Sequence, residues 1–88
     1  MALAALDERQ AAELRRFGAG VCSTRMALGL SHEELAQRTG LSLKYLQGLE
    51  HGKQIPPLIV VFLLAQSLEV SAHSLVRYMS LSNQEIHG

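Results

Sequence analysis

From Asp7 to Leu28 the apolar residues Leu14, Phe17, Val21 and Leu28 recur three, four and seven positions apart, the spacing of a helix that buries one stripe. Asp7 with Gln10 three residues later forms a capping pair that predicts the start of this first helix. Gly18 and Gly20 weaken its middle, so the residues before about Arg16 read either as its first turns or as a separate turn or mobile arm. After Gly29 and Leu30, Ser31 and Glu34 make a second capping box, and the run through Leu35 and Ala36 to Thr39 predicts helix 2, which Gly40 ends. Ser42 caps a third helix expected over about Leu43 to His51, with Tyr45, Leu46 and Leu49 at helical spacing and Gly52 as the stop. Pro56 and Pro57 suit the first positions of a fourth helix that reaches Leu68. Ser71 caps a fifth, carrying Leu75, Val76, Tyr78 and Met79, and the polar stretch Ser82 to Gly88 reads as a frayed tail.

The pattern is all-α. Only Leu41 separates Gly40 from Ser42, so helices 2 and 3 form a helix-turn-helix, and the small Ala36 lets them cross closely. A chain of 88 residues, 48% apolar, sustains one core. The expected division is an extension of helix 1 or an arm over 1–15, the helix-turn-helix domain with its dimerisation helices over 16–79, and a flexible tail over 80–88.

Composition narrows the function by exclusion. Eight Lys plus Arg balance eight Asp plus Glu, so no overall positive field draws the chain to nucleic acid or to an acidic membrane, and any DNA affinity must come from local placement. The apolar run Ile55 to Ala65 contains both prolines and is far shorter than the roughly 20 residues of a membrane span. The single cysteine, Cys22, reads as a core or near-core thiol, and the lack of a secretory signal or CxxC pair points to a soluble, cytoplasmic protein. His32, His51, His73 and His87 show no metal-ligand spacing, and no phosphate-cradling glycine motif occurs, so neither an enzyme nor a metal or cofactor is expected.

Taken in order, Arg25-Met26-Ala27-Leu28-Gly29-Leu30-Ser31-His32-Glu33-Glu34-Leu35-Ala36, Gly40-Leu41-Ser42, Leu46, Leu49-Glu50-His51-Gly52-Lys53, Pro56 and Leu64-Ala65-Gln66-Ser67-Leu68-Glu69-Val70-Ser71 resemble the lambda-repressor-like, or Cro/Xre, DNA-binding domains, from about Phe17 to Val76. The resemblance implies a compact five-helix bundle whose third helix enters the major groove of double-stranded DNA, in a homodimer on a palindromic operator. It also implies an ion pair between Arg25 and Glu50. The bare physics agrees, because Arg25 lies beside an apolar stripe and Glu50 follows the buried Leu49, and each needs a partner once desolvated.

The expected DNA contacts are His32, Ser42, Leu43, Lys44, Gln47, Gly48, Lys53 and Gln54. His32 stands where the family commonly carries a phosphate-binding Gln, and it donates more weakly when neutral. On helix 3 only Lys44 and Gln47 can read groove donors and acceptors, while Leu43 offers at most a contact to a thymine methyl. Gly48 is either a site of close approach by DNA or a partner, or a tolerated surface glycine. Arg38 and Lys53 read equally as phosphate contacts or as solvated charges.

Helix 4 departs from the family by being apolar on every side, Leu58-Ile59-Val60-Val61-Phe62-Leu63-Leu64-Ala65, more than a domain this small can bury. Alignment with the family turns Val61, Leu64, Ala65 and Leu68 inward. The expected dimer surface is therefore Ile59, Val60 and Leu63 with Leu75, Tyr78 and Met79 of helix 5. The function implied is a transcriptional regulator of the repressor kind, and the alternative is a protein-interaction module on the same fold, such as an antitoxin or anti-regulator, gripping a second protein through helices 4 and 5.

Overall fold

The computed structural model describes residues 6–79; the expected tail over 80–88 and the first five residues of the expected arm lie outside them. Asp7 caps α1 (Glu8–Ala27), its carboxylate accepting from the Gln10 amide at 2.8 Å while the Gln10 side chain accepts from the Asp7 amide at 3.2 Å. Residues 8–15 are thus the first turns of α1 and not a detached arm. The α2 helix (His32–Thr39) begins with the Ser31–Glu34 box, in which Ser31 Oγ accepts from the Glu34 amide at 3.0 Å and the Glu34 carboxylate accepts from the Ser31 amide at 2.8 Å. Gly40, at φ 77°, turns the chain in the left-handed region. The Thr39 hydroxyl holds that turn by donating to the Leu35 carbonyl and accepting from the Leu41 amide.

Ser42 starts α3 (Leu43–Glu50) by accepting from the Tyr45 amide at 3.1 Å, and His51 is its C-cap. Both prolines precede α4 (Leu58–Ser67): Pro57 is its N-cap, with ψ 159°, and only its carbonyl enters the helix, accepting from Val60 and Val61. The chain ends, as far as described, with α5 (Ala72–Val76) and a 3₁₀ turn over Arg77–Met79.

Phe17 and Val21 of α1, Leu30, Leu35 of α2, Leu46 and Leu49 of α3, four residues of α4 with its C-cap Leu68, and Leu75 of α5 form one core. On α4 and its C-cap the buried set is Val60, Val61, Leu64, Ala65 and Leu68, one helical stripe. The outward face carries Leu58, Ile59 and Phe62, exposed by 71%, 65% and 52%. The expected outward set is therefore displaced by about one residue, roughly 100° of helix rotation. Val60 is a core residue rather than a surface one, buried in the same cluster as Leu35 of α2 and Leu75 of α5. Leu75, also expected at the dimer surface, is 1% exposed, since it closes the core beneath α4 and α1. Tyr78 lays its ring against Gly20 and Met79 packs against the core, so the 3₁₀ turn is held on α1 within the same chain.

Glycines on α1 and after the end of α3 are contact points. A methyl on Gly18 would overlap the backbone carbonyls of Leu49 and Glu50, and one on Gly52, which sits at φ 73°, would overlap the backbone of Arg15. The last turn of α3 therefore rests directly on the α1 backbone. Arg38 ties α2 to the end of α4, donating to the Ser67 carbonyl at 3.3 Å with the Glu69 carboxylate at 3.7 Å. Among the described residues no single helix is long and apolar enough to cross a membrane.

Because the atoms facing Gly18 are backbone and have little room to move, Gly18→Ala is expected to lose about 2 kcal/mol or more of stability despite alanine's better helix propensity. Chemical denaturation of the two proteins checks this, and equal or greater stability of the variant would contradict the packing.

Candidate nucleic-acid interface

Arg25 anchors the site from below. It is 7% exposed, near the end of α1. Its Nε donates to Glu50 Oε2 at 2.8 Å and one terminal nitrogen donates to Oε1 at 3.2 Å, a two-point clamp; the other donates to the Leu30 carbonyl at 2.8 Å. The pair joins the end of α1 to the end of α3, and through Leu30 to the loop that enters α2. Burial pushes the Glu50 carboxyl upward, but hydrogen bonds from Arg25 and His32, with the Arg25 charge, outweigh it and hold the group below the ordinary carboxylate value. The hydrogen bond to Glu50 in turn raises the Arg25 guanidinium, against the opposing effect of burial.

His32 closes the network from α2, with Nε2 2.9 Å from Glu50 Oε1. Glu50 is ionised at neutral pH and only accepts, so this nitrogen carries the hydrogen. The ring expected to reach outward to a phosphate thus has one nitrogen turned inward, while part of the side chain stays exposed.

With Leu46 and Leu49 packed in the core, the opposite side of α3 presents Lys44 and Gln47 to solvent, with Leu43 half-buried. Exposed His51 follows one turn after Gln47, its Nδ1 donating to the Gln47 carbonyl at 2.8 Å. Lys53 and Gln54 are also exposed, and the Gln54 side chain folds over Gly48, close enough that a methyl there would press on it at 3.0 Å. Gly48 leaves space that a neighbouring glutamine uses. The Ser42 hydroxyl accepts from the Tyr45 amide at its cap, and its own hydrogen can still donate outward.

Seven of the eight expected residues therefore belong to one continuous unit, α3 and the turn after it, and His32 joins it through Glu50. His51, not among the expected contacts, is exposed one turn beyond Gln47, and that spacing is the signal for its place beside the others. Arg38 is engaged with α4 instead. Cys22 lies half-buried on α1, 3.5 Å from an Arg25 nitrogen and 3.8 Å from Met26 Sδ, lining the cleft beside the ion pair and not the core. Tyr45 packs against the core, and its burial raises the phenol above its usual value.

Residues 23–75 match the HTH_3 helix-turn-helix family model. The chain belongs to this helix-turn-helix family. It is 41% identical over 59 residues, 67% of its own length and 77% of the relative's, to the HTH-type transcriptional regulator y4dJ of Sinorhizobium fredii. Among solved structures it is similar to the restriction-modification controller protein C.AhdI of Aeromonas hydrophila, at 36% identity and TM-score 0.72, over 73% of this chain and 97% of that one. The clp gene regulator ClgR of Corynebacterium glutamicum shares the fold, at 24% identity and TM-score 0.73, over 80% and 91% of the two chains. The chain is a DNA-binding transcriptional regulator of the helix-turn-helix type, a class that is not enzymatic.

Removing the Glu50 carboxylate strands Arg25 in a buried position, so Glu50→Ala in this helix-turn-helix regulator is expected to cost about 3–5 kcal/mol. The folded-state carboxyl is depressed, so its stabilising contribution is complete above the ordinary carboxylate range and disappears as pH falls through the folded value. Thermal unfolding followed from neutral pH to below about pH 4 tests both points. A melting temperature for Glu50→Ala equal to the parent's, or an acid limb of the same steepness in both, would contradict the role of the pair.

Proposed function

We propose that this regulator acts as a sequence-specific homodimer, of the repressor kind, on a palindromic operator in the cytoplasm. The observation that carries the reading is the division of α3, with Leu46 and Leu49 locked in the core while Lys44 and Gln47 stand exposed on the other side. Side chains of those two types have the donors and acceptors that distinguish base pairs in the major groove. Around them Ser42, Lys53, Gln54 and His32 supply phosphate contacts, and Leu43 packs against a thymine methyl. With so few cations in the contact surface, affinity falls less steeply with salt than for a strongly basic protein. The likeness to a restriction-modification controller supports control of gene expression by occupancy of a promoter.

The dimer surface consistent with the observed burial is the outward face of α4, with Leu58, Ile59 and Phe62 exposed, Leu63 half-buried beside them and Ile55 on the preceding loop. An apolar face of this kind on a small domain favours association, and two-fold pairing sets two α3 helices on successive half-sites. The same face supports the second reading, an interaction module that grips a different protein.

A duplex selected from a randomised library by the purified chain is expected to lose about tenfold or more in affinity for Lys44→Ala. Fluorescence anisotropy in the presence of competitor DNA measures it. Failure to select any duplex, or an unchanged affinity in the variant, counts against the reading. Sedimentation at tens of micromolar (~10–50 µM, where a specific interface of ordinary size is occupied) is expected to give a dimer for the parent and a monomer of unchanged helix content for Phe62→Glu. A monomeric parent contradicts the homodimer.

A further inference from the structure

His32 and His51 line one open cleft, together with Arg25, Glu50 and Cys22, at the junction of α1, α2 and the end of α3. Each ring has one nitrogen committed to an internal acceptor. His32 Nε2 is 2.9 Å from the Glu50 carboxylate, and His51 Nδ1 is 2.8 Å from the Gln47 carbonyl. Neither partner has a proton to give, so both committed nitrogens are the N–H nitrogens of the neutral rings. The second nitrogen of each ring makes no hydrogen bond to a described residue and, in the neutral ring, carries a lone pair. A lone pair repels a phosphate oxygen.

We propose that His32 and His51 form a proton-gated phosphate contact, so that DNA affinity rises as pH falls through the imidazole range. The inference rests on the DNA-binding reading and names how that same site is regulated. Uptake of one proton converts each outer nitrogen into a charged donor without disturbing the internal bond, and a nearby phosphate favours the protonated form. The groups facing the cleft set the balance. From α1 come the Arg25 guanidinium, whose charge is matched by Glu50, and the Cys22 thiol. From α3 comes the Glu50 carboxylate, bonded to both Arg25 and His32. On α2 itself Glu33 and Glu34 follow His32, with Glu34 turned back to Ser31, and Lys53 follows His51 by two residues. Of the side-chain types facing the cleft, imidazole is the one whose charge changes near neutral pH.

The test uses the selected duplex at constant ionic strength. For the parent, affinity is expected to be about fourfold higher per ring, and so about sixteenfold higher per protomer with its two rings, at about pH 6 than at about pH 7.5, the change produced when DNA stabilises each charged ring by about one pKa unit. His32→Gln and His51→Gln each lose part of the dependence, and the double variant loses all of it while still binding, because the glutamine amide donates at every pH. His73→Gln, on α5, keeps the full dependence. Ring resonances of His32 and His51 in the parent move to a higher titration midpoint when the duplex is added, a readout that needs no variant to fold. A flat pH profile with intact binding, a dependence that survives in the double variant, or midpoints unmoved by DNA overturns the proposal while leaving the regulator reading in place. If no duplex is selected at either pH, the regulator reading fails and the gate falls with it.

Discussion

The Arg25–Glu50 pair sets where α3 can sit. Its two-point geometry fixes both distance and orientation between the ends of two helices, and the third arm of the guanidinium reaches the Leu30 carbonyl where the chain turns into α2. All three elements of the helix-turn-helix face are thus referred to one buried charge. An interaction of this kind adds little net stability over a well-packed apolar substitute, but it is costly to break on one side and it specifies a single arrangement. Here that arrangement is the one in which Leu46 and Leu49 face the core and Lys44 and Gln47 face solvent.

Packing makes the same contact from the other side. Gly18 lets the α1 backbone meet the carbonyls of Leu49 and Glu50, and Gly52 lets the chain leave α3 across the backbone of Arg15. Charge pairing without this close approach would leave Glu50 too far from α1. Close approach without the pair would bury a carboxylate with only the His32 ring as a partner. The recognition surface follows from the two together: a short helix held at its C-terminal end, its outer side polar, with His32 added from α2 through the same carboxylate.

Much of this was readable in the chain because the signals are local. Capping residues at Asp7, Ser31, Ser42 and Ser71 all sit at helix starts, and the apolar spacing matches the buried sides of α1 and α3, except that Leu28, expected in the α1 stripe, is its exposed C-cap. The outward face of α4 is less legible, for a physical reason. An α4 that is apolar all round has no periodic contrast, so its rotation is decided by what packs on it, and Val60 faces the core shared with α2 and α5. Leu58 and Phe62 are exposed in its place, and Leu75 on α5 is buried in the same core. The glycines of α1 read as weak points because propensity counts only the cost within one helix; their value lies in contacts far along the sequence, Gly18 with Leu49 and Glu50 and Gly20 with Tyr78, beyond any local window. His32 was placed by position alone, and its inward bond to Glu50 depends on a carboxylate from another helix.

The central claim is that the clamp on α3 presents its polar side to DNA. Amide chemical-shift mapping of the isotopically labelled chain, titrated with the selected duplex, tests it most directly. The account predicts that perturbations concentrate at His32 and from Ser42 through Gln54, with the exposed α4 face little affected. Perturbations confined to Leu58, Ile59 and Phe62, with α3 unmoved, would contradict it.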